Sequence, residues 1–313
     1  MILPVLGGAY LGWSLGANDA SHVFGTAVAS RMLRFGTAAV LCSVFLLVGA
    51  VLQGRGGIDT LSGLTAQTAL TAGLAAIAAA LTITMMTVLK LPISTSQAVV
   101  GAILGIGLMQ GELNLAGLEK VVACWIGTPI GAMVLAAVLY PALALIYNRL
   151  RLGMFRQDAL LRTGLIVVGC YGSYALGANN VANVSSLFLG GGLMNPFEAT
   201  LLGGGCIALG VLTFSRRVMD TVGKRVIKLD AFSSLVVVAA EAITVHIYAM
   251  VGVPVSTSQA VIGAVLGVGI ARGSRSVRLR SLRNIGLGWV LTPAIACCLS
   301  AFFYVIAHLR YVG

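Results

Sequence analysis

Two short polar clusters each occur twice in this apolar chain, and their residue types suit the binding of ions. The run Pro92-Ile-Ser-Thr-Ser96 returns as Pro254-Val-Ser-Thr-Ser258, at an offset of 162 residues. Leu15-Gly-Ala-Asn-Asp19 returns as Leu176-Gly-Ala-Asn-Asn180, at an offset of 161. Hydroxyl groups donate hydrogen bonds to anions, and carboxylate and amide oxygens are ligands for hard cations. The repeated order predicts one site built from two halves, which is the layout of transporters with internal repeats.

The composition places the chain in a membrane. Hydrophobic residues make up 58% of the 313 and charged residues only 9%, with a mean hydropathy of +1.00. The core of a soluble protein cannot absorb so much apolar surface. The apolar runs are continuous, which favours helices over the alternating strands of a membrane barrel. Six cysteines lie in these runs without metal-ligand spacing, so we interpret them as small buried residues.

Ten apolar segments, five in each half, predict an all-α integral membrane protein with broken or re-entrant helices. We expect an N-terminal repeat at residues 1–148, a basic cytoplasmic linker at 149–162 and a C-terminal repeat at 163–313. Five segments per repeat would insert the second repeat upside down relative to the first. The stretch 97–108 is short for a full crossing, so segments 3–4 and 8–9 either cross the membrane or form re-entrant hairpins. The segments lie near residues 1–28, 36–53, 68–89, 91–109, 121–148, 160–181, 196–214, 230–251, 254–271 and 284–309.

The basic residues predict the orientation. Seventeen of the 20 Lys and Arg residues lie in loops that follow odd-numbered segments, and only Arg55, Lys120 and Arg310 lie on the other side. By the positive-inside rule the odd loops are cytoplasmic and both termini lie outside the plasma membrane. Loops facing the lipid surface therefore account for the net charge of +11, and we expect no nucleic-acid partner.

The repeated Ser-Thr-Ser runs are candidate oxyanion sites. The residue before a proline is pushed out of the helical region, so one helix ends before Pro92 and another begins at the hydroxyl residues. A helix start carries free N–H groups and a partial positive charge, which attract anions. A capped proline kink is the alternative for a single copy, and the second copy favours a shared anion site. The predicted oxyanion ligands are Ser94, Thr95, Ser96, Ser256, Thr257, Ser258, Asn18 and Asn179.

Two acids within apolar segments are candidate cation ligands. A carboxylate such as Asp19 costs ~2.5–3.5 kcal/mol on membrane-insertion scales, which marks it as functional. The nearby Gly16 favours a local helix break that frees carbonyl oxygens, a set suited to Na⁺ or a proton. Glu241 would hold a second cation or a proton. The alternatives are polar contacts that join helices and, for Glu241, a protonated interhelical hydrogen bond. The predicted cation ligands are Asp19, Asn18, Asn179, Asn180 and Glu241.

Apart from Arg162 at the start of the segment near 160–181, no Lys or Arg lies inside an apolar segment. A bound anion would therefore depend on helix dipoles, hydroxyls and a co-bound cation, and this mutual dependence is the physical basis of symport. A passive anion channel, the second function class considered, would favour a pore lined by basic or carbonyl rings. A membrane enzyme using Asp19, His22 and Glu241 would need a nucleophile or metal set that the sequence does not offer. We expect neither an enzyme nor an organic cofactor.

The clusters resemble the signatures of the inorganic phosphate transporter (PiT) family of cation-coupled permeases. Those signatures are Gly-Ala-Asn-Asp early in each repeat and Pro-(Val/Ile)-Ser-Thr-(Thr/Ser) later in each. The resemblance covers residues 12–304 and includes Glu241, which matches the acidic residue ahead of the second Ser-Thr motif. It implies an inverted-repeat transport domain, usually a homodimer, that moves phosphate with Na⁺ or H⁺ by alternating access at a midplane site.

This chain departs from the family pattern at several of these positions. Asn180 stands where many members have a second Asp, and residues 45–49 lack an acid found there in others. His22 replaces the usual Asn, and Gln97 and Gln259 replace a common His. Fewer carboxylates imply fewer coupled cations or a less charged anion. Na⁺ and H⁺ therefore stay open as coupling ions, and phosphate and sulfate as substrates.

Overall fold

The chain folds into α-helices throughout the part that the computed structural model describes. The described residues are 2–89, 93–190, 192, 194–225, 229–273 and 279–312, and no β-strand occurs among them. Their eleven helices are α1 (Ile2–Ala29), α2 (Phe35–Gln53), α3 (Arg55–Ser62), α4 (Ala69–Val88), α5 (Thr95–Gln110), α6 (Leu115–Arg149), α7 (Met154–Gly190), α8 (Pro196–Arg225), α9 (Ala231–Val251), α10 (Thr257–Ala271) and α11 (Leu279–Val312).

The prediction of an all-α membrane protein is confirmed, since the described residues form helices that include candidate membrane spans. Each of the ten predicted segments corresponds to one helix, and the short α3 is an addition that the sequence pattern did not indicate. Among the described residues, seven helices are long and apolar enough to cross a membrane: α2, α4, α6, α7, α8, α9 and α11. The apolar α5 and α10 have 16 and 15 residues. At ~1.5 Å per residue both are shorter than a hydrocarbon core of ~30 Å.

The predicted linker is largely helical. Helix α6 runs to Arg149 and α7 begins at Met154, so only residues 150–153 separate them. Residues 154–162, which we expected in the linker, form the first turns of α7. Pro92 of the first Ser-Thr-Ser run lies outside the described residues. So do four of the 17 basic residues that follow odd-numbered segments, Lys90, Lys228, Arg275 and Arg278.

Side chains define the starts of the two helices that precede the Ser-Thr-Ser runs. Thr68 and Thr71 form a reciprocal capping box at the start of α4. At the start of α9, Asp230 accepts a hydrogen bond of 2.8 Å from the Ser233 N–H. Arg272, at the end of α10, donates to the same carboxylate at 2.8 Å. Partial burial raises the pKa of Asp230, but the hydrogen bonds from Ser233 and the charge of Arg272 outweigh it and hold the pKa below its ordinary value. This group joins the start of α9 to the end of α10.

The packing of the first half corresponds to the packing of the second. Helix α1 packs on α8, and α2 packs on α7. Each of these contacts becomes the other when every helix is replaced by its equivalent in the other half. In the same way, the contact of α5 with α11 corresponds to that of α10 with α6, and the contact of α1 with α4 to that of α7 with α9. Helices from one half therefore pack largely against helices of the other, and the polar clusters on α1 and α7 lie inside this shared core.

The glycines of the two Gly-Ala-Asn clusters allow helices to cross at close range. A Cβ atom on Gly16 would overlap with the carbonyl oxygen of Ile207 in α8. A Cβ on Gly177 would overlap with the carbonyl oxygen of Leu46 in α2, which is the equivalent contact of the other half. The expected helix break at Gly16 is wrong, because α1 is continuous from Ile2 to Ala29. Glycine serves close packing here, since each crossing leaves no room for a side chain.

We expect Gly16→Ala and Gly177→Ala to destabilise the protein by about 1–3 kcal/mol each, because the added methyl group meets backbone that cannot move cheaply. Thermal unfolding of the purified protein in detergent measures the effect. Gly205→Ala in α8 is the matched control, since no atom lies within 4 Å of its added Cβ. An unfolding temperature for Gly16→Ala equal to that of the control would contradict the close-crossing account.

Candidate functional site

Both Ser-Thr-Ser runs begin a helix, as the sequence predicted. Ser94 is the N-cap of α5, and its hydroxyl accepts a hydrogen bond of 3.3 Å from the Gln97 N–H. Ser256 is the N-cap of α10 and accepts from the Gln259 N–H at 3.2 Å. Both serines are buried. Each run therefore brings the free N–H groups of a first helical turn into the protein interior.

The two helix starts are bonded to each other. The Ser96 hydroxyl donates to the Val255 carbonyl oxygen at 3.0 Å, and the Ser258 hydroxyl donates to the Ile93 carbonyl oxygen at 2.7 Å. These four residues occupy equivalent positions in the two halves, so the bonds form a reciprocal pair. We call this group, Ile93–Ser96 with Val255–Ser258, the tip seam. The seam brings two positive helix ends together in the interior.

Asp19 lies at the meeting point of the halves. Its Oδ2 atom accepts hydrogen bonds from the Thr95 hydroxyl at 2.8 Å and from the Asn180 Nδ2 at 2.6 Å. Asp19 is 1% exposed and Asn180 is fully buried. These two residues are equivalents in the duplicated sequence, and they touch directly. The amide at position 180 supplies a donor where a second carboxylate would face Asp19 with like charge.

Asn179 holds the extended segment before α10. Its Nδ2 donates to the Val255 carbonyl oxygen at 2.9 Å and to the Asn180 Oδ1 at 2.7 Å, while its Oδ1 accepts from the Val255 N–H at 2.8 Å. The equivalent Asn18 is half-buried, and its backbone carbonyl accepts from the Ser21 hydroxyl at 2.7 Å. Thr257 is buried at the first position of α10. The structure thus joins Asn179 to the tip seam, whereas no hydrogen bond among the described residues joins the Asn18 side chain to it.

Several buried polar atoms have no hydrogen-bond partner among the described residues. Glu241, on α9 and 2% exposed, leaves its Oε2 unpartnered. Both ring nitrogens of His22 are unpartnered as well. Asn183, the equivalent of His22, donates to the Ser96 hydroxyl at 3.1 Å but leaves its Oδ1 free. Each unpaired buried polar group is a candidate contact for a bound ion, a ligand or a water molecule. The role of Asn183 in the tip seam was missed, although its position one turn after Asn179 was a signal for it.

Comparison with known proteins assigns the family. The model of the phosphate transporter family matches residues 15–300. The chain belongs to this family. A relative in Methanocaldococcus jannaschii, provisionally named a phosphate permease, is 30% identical over 92% of this chain and 91% of its own. A sulfate permease of Bacillus subtilis is 27% identical over 96% of this chain and 86% of its own. The solved structure of a sodium-dependent phosphate transporter has a TM-score of 0.88 and 25% identity, and the match covers 98% of both chains.

Membership of the phosphate transporter family agrees with the helices described above. The fold and the family are those of a transporter, and the apolar helices make the chain a multi-pass membrane protein. The resemblance that the duplicated clusters indicated is therefore confirmed. The roles of individual side chains come from the geometry of the site and are proposals.

We expect Asn180→Asp to make the stability of the protein dependent on pH. Two carboxylates at the distance of the present hydrogen bond cannot both be charged without a cation, so the folded variant takes up a proton. Because the unfolded chain binds no such proton near neutral pH, stability rises as the pH falls, more steeply than in the parent protein. Unfolding temperatures measured across pH 5 to 8, with and without Na⁺, provide the test.

The control for this variant is Asn195→Asp, which makes the same change at the exposed residue whose side chain caps the start of α8. It should unfold with the pH dependence of the parent protein. If Asn180→Asp also follows the parent at every pH, the direct contact between positions 19 and 180 is contradicted.

Proposed function

We propose that the protein is a secondary active symporter that moves inorganic phosphate with Na⁺ across the plasma membrane. The observation that carries the proposal is the contact of Asp19 with its own equivalent, Asn180, beside two helix starts from opposite halves. An oxyanion attracted to the helix starts and a cation attracted to Asp19 would then lie close together. The family match and the sodium-dependent phosphate transporter of similar fold support both ions.

The proposed architecture is a pair of inverted five-segment repeats, residues 1–148 and 163–313, with residues 149–162 as a cytoplasmic connection. The exchangeable packing of the two halves supports it. Helices α5 and α10 would be the second arms of re-entrant hairpins, because both are short and both begin at the tip seam. The charge asymmetry of the loops supports a cytoplasmic location for residues 149–162 and an outside location for both termini.

In this proposal phosphate binds between the helix starts. The residues that surround it are those predicted from the sequence: Ser94, Thr95, Ser96, Ser256, Thr257, Ser258, Asn18 and Asn179. The hydroxyls of Ser96 and Ser258 donate hydrogen bonds to carbonyl oxygens of the opposite segment across the tip seam. When the anion enters, these two donors turn to it and the seam opens. Anion binding and separation of the halves then become one event, which is the requirement of alternating access.

The cation makes this anion site usable. Asp19 and Glu241 are both buried, and as carboxylates they repel an anion. Na⁺ bound to oxygen atoms of Asp19, Asn18, Asn179, Asn180 and Glu241 removes that repulsion. Glu241 has a free oxygen for a second cation or for a proton, so H⁺-coupled transport is the alternative for the same site.

Sulfate is the alternative substrate, since a relative of similar overall coverage carries the name of a sulfate permease. A passive anion channel is the alternative of another class. Apart from Arg162 at a segment start, Lys and Arg are absent from the apolar segments, which favours the symporter over the channel. The proposed transport unit is a homodimer in the lipid bilayer, as the resemblance to the phosphate transporter family implies.

We expect purified protein in proteoliposomes to accumulate radiolabelled phosphate when Na⁺ is present outside, and to stop when Na⁺ is replaced by choline. Asp19→Asn should fold but lose Na⁺-driven uptake, because the geometry of the site survives while its charge is lost. Asp59→Asn, which neutralises an exposed carboxylate on α3, should leave uptake unchanged.

Separate Na⁺ and pH gradients, each tested with phosphate and with sulfate, distinguish the alternatives. Uptake driven by a pH gradient alone would replace Na⁺ with H⁺ as the coupling ion. Phosphate that merely equilibrates, whatever the gradient, would contradict the symporter and favour the channel.

A further inference from the structure

Two glutamine side chains at the same position of the two tip helices lack a hydrogen-bond partner. Gln97 and Gln259 are the third residues of α5 and α10 and are 4% and 3% exposed. The Oε1 atom of each has no partner among the described residues. Rotating either amide by 180° would exchange its oxygen and nitrogen atoms, and the nitrogen would then be buried without a partner. An unpaired amide in the interior is costly, and here the same cost occurs twice at equivalent positions.

Helix geometry favours an orientation of these amides toward the helix starts. In an α-helix each Cα–Cβ bond tilts toward the N-terminus, so the side chain of a third residue reaches back over the first turn. A glutamine at this position can close a capping box by bonding the N-cap N–H. Thr68 and Thr71 form such a box in α4. Gln97 and Gln259 do not, because their oxygens stay unpartnered. Both amides are therefore left for a ligand at the tip seam.

The free atoms around the seam include several acceptors. Besides the two Oε1 atoms, Asn183 offers a free Oδ1, and Asp19 offers a carboxylate that already accepts two hydrogen bonds. Acceptor oxygens repel the oxygens of a fully ionised anion, but each can accept a hydrogen bond from an O–H group. A tetrahedral oxyanion that keeps a proton supplies that group, and one without a proton does not.

We propose that Gln97 and Gln259 are direct ligands of the transported oxyanion and that they select an anion carrying a proton. In each amide the Nε2 donates to an anion oxygen, and the Oε1 is placed to accept from a P–O–H group. Dihydrogen phosphate and dihydrogen arsenate carry one proton for each of the two Oε1 atoms, hydrogen phosphate and hydrogen arsenate carry one proton in all, and sulfate and selenate carry none near neutral pH. This inference rests on the proposed oxyanion site and adds the two residues that discriminate between its candidate substrates.

The test is the equilibrium binding of phosphate, arsenate, sulfate and selenate to purified protein in Na⁺, measured by calorimetry. We expect the parent protein to bind phosphate and arsenate about tenfold or more tighter than sulfate and selenate. Gln97→Met and Gln259→Met should each weaken phosphate binding about tenfold, the scale of one hydrogen bond to a charged group. Binding of sulfate should weaken less than binding of phosphate, because sulfate loses only the Nε2 donor whereas phosphate also loses the Oε1 acceptor for its O–H group. The preference for phosphate therefore narrows in each variant and further in the double variant.

Gln110→Met is the matched control. Gln110 also has an unpartnered Oε1 and also belongs to α5, but it lies ~20 Å away at the other end of the helix. This variant should keep the phosphate affinity and the anion preference of the parent. The ligand-free unfolding temperatures of the Gln97 and Gln259 variants should equal or exceed that of the parent, since no protein hydrogen bond is lost and an unpaired buried amide is removed. Only the stabilisation by added phosphate should fall.

A second substitution covers the case in which the methionine variants do not fold. Gln97→Glu keeps the shape of the side chain but places a carboxylate against the anion at neutral pH. Relative to the parent, its phosphate affinity should rise as the pH falls, because the protonated acid again donates to the anion. A pH profile parallel to that of the parent would overturn the proposal.

Sulfate binding to the parent as tight as phosphate binding, or phosphate affinity unchanged in the double methionine variant, would also overturn it. Failure of the symport proposal is distinguishable from these outcomes. If phosphate binds selectively through both glutamines while proteoliposome uptake ignores the Na⁺ gradient, the ligand assignment stands and the coupling mechanism fails.

Discussion

A carboxylate buried in a membrane protein needs hydrogen-bond donors, and Asp19 finds one of them in its own equivalent on the other half of the chain. Asn180 and Thr95 donate to the same oxygen of Asp19 at 2.6 and 2.8 Å. An uncompensated buried charge costs far more than one hydrogen bond contributes. The halves are therefore held together at this point for as long as Asp19 is charged and carries no cation. A ligand that satisfies Asp19 in another way removes the constraint.

The site also depends on close packing of the helix backbones. Helices α1 and α7 can bring their polar clusters into the shared core only because Gly16 and Gly177 let α8 and α2 approach at the crossing points. The tip seam then closes the site from the other side, with the hydroxyls of Ser96 and Ser258 donated across it. In the proposed mechanism, anion binding competes with those two bonds, and cation binding competes with the bonds to Asp19. Both ligands act on one seam, which gives a physical reason for their binding to be linked.

Much of this fold was predictable because its signals are local. Proline, hydroxyl caps and apolar length predicted where α5 and α10 begin, and the duplicated order predicted that two halves share a site. The expected helix break at Gly16 was wrong because glycine permits both a break and a close crossing, and the choice depends on Ile207, a residue distant in sequence. The direct contact of Asp19 with Asn180 and the unpartnered amides of Gln97 and Gln259 are likewise set by the packing of the two halves. No local pattern encodes them.

In the proposed mechanism, the binding affinities of the cation and the anion depend on each other at this seam. Equilibrium binding on the purified protein tests it most directly, with phosphate affinity measured at rising Na⁺ and Na⁺ affinity measured at rising phosphate. We expect each ion to raise the affinity of the other by the same factor, because coupling between two binding sites is reciprocal. Phosphate affinity that is the same in Na⁺ and in choline, and that does not change with pH beyond the ionisation of phosphate itself, would contradict it.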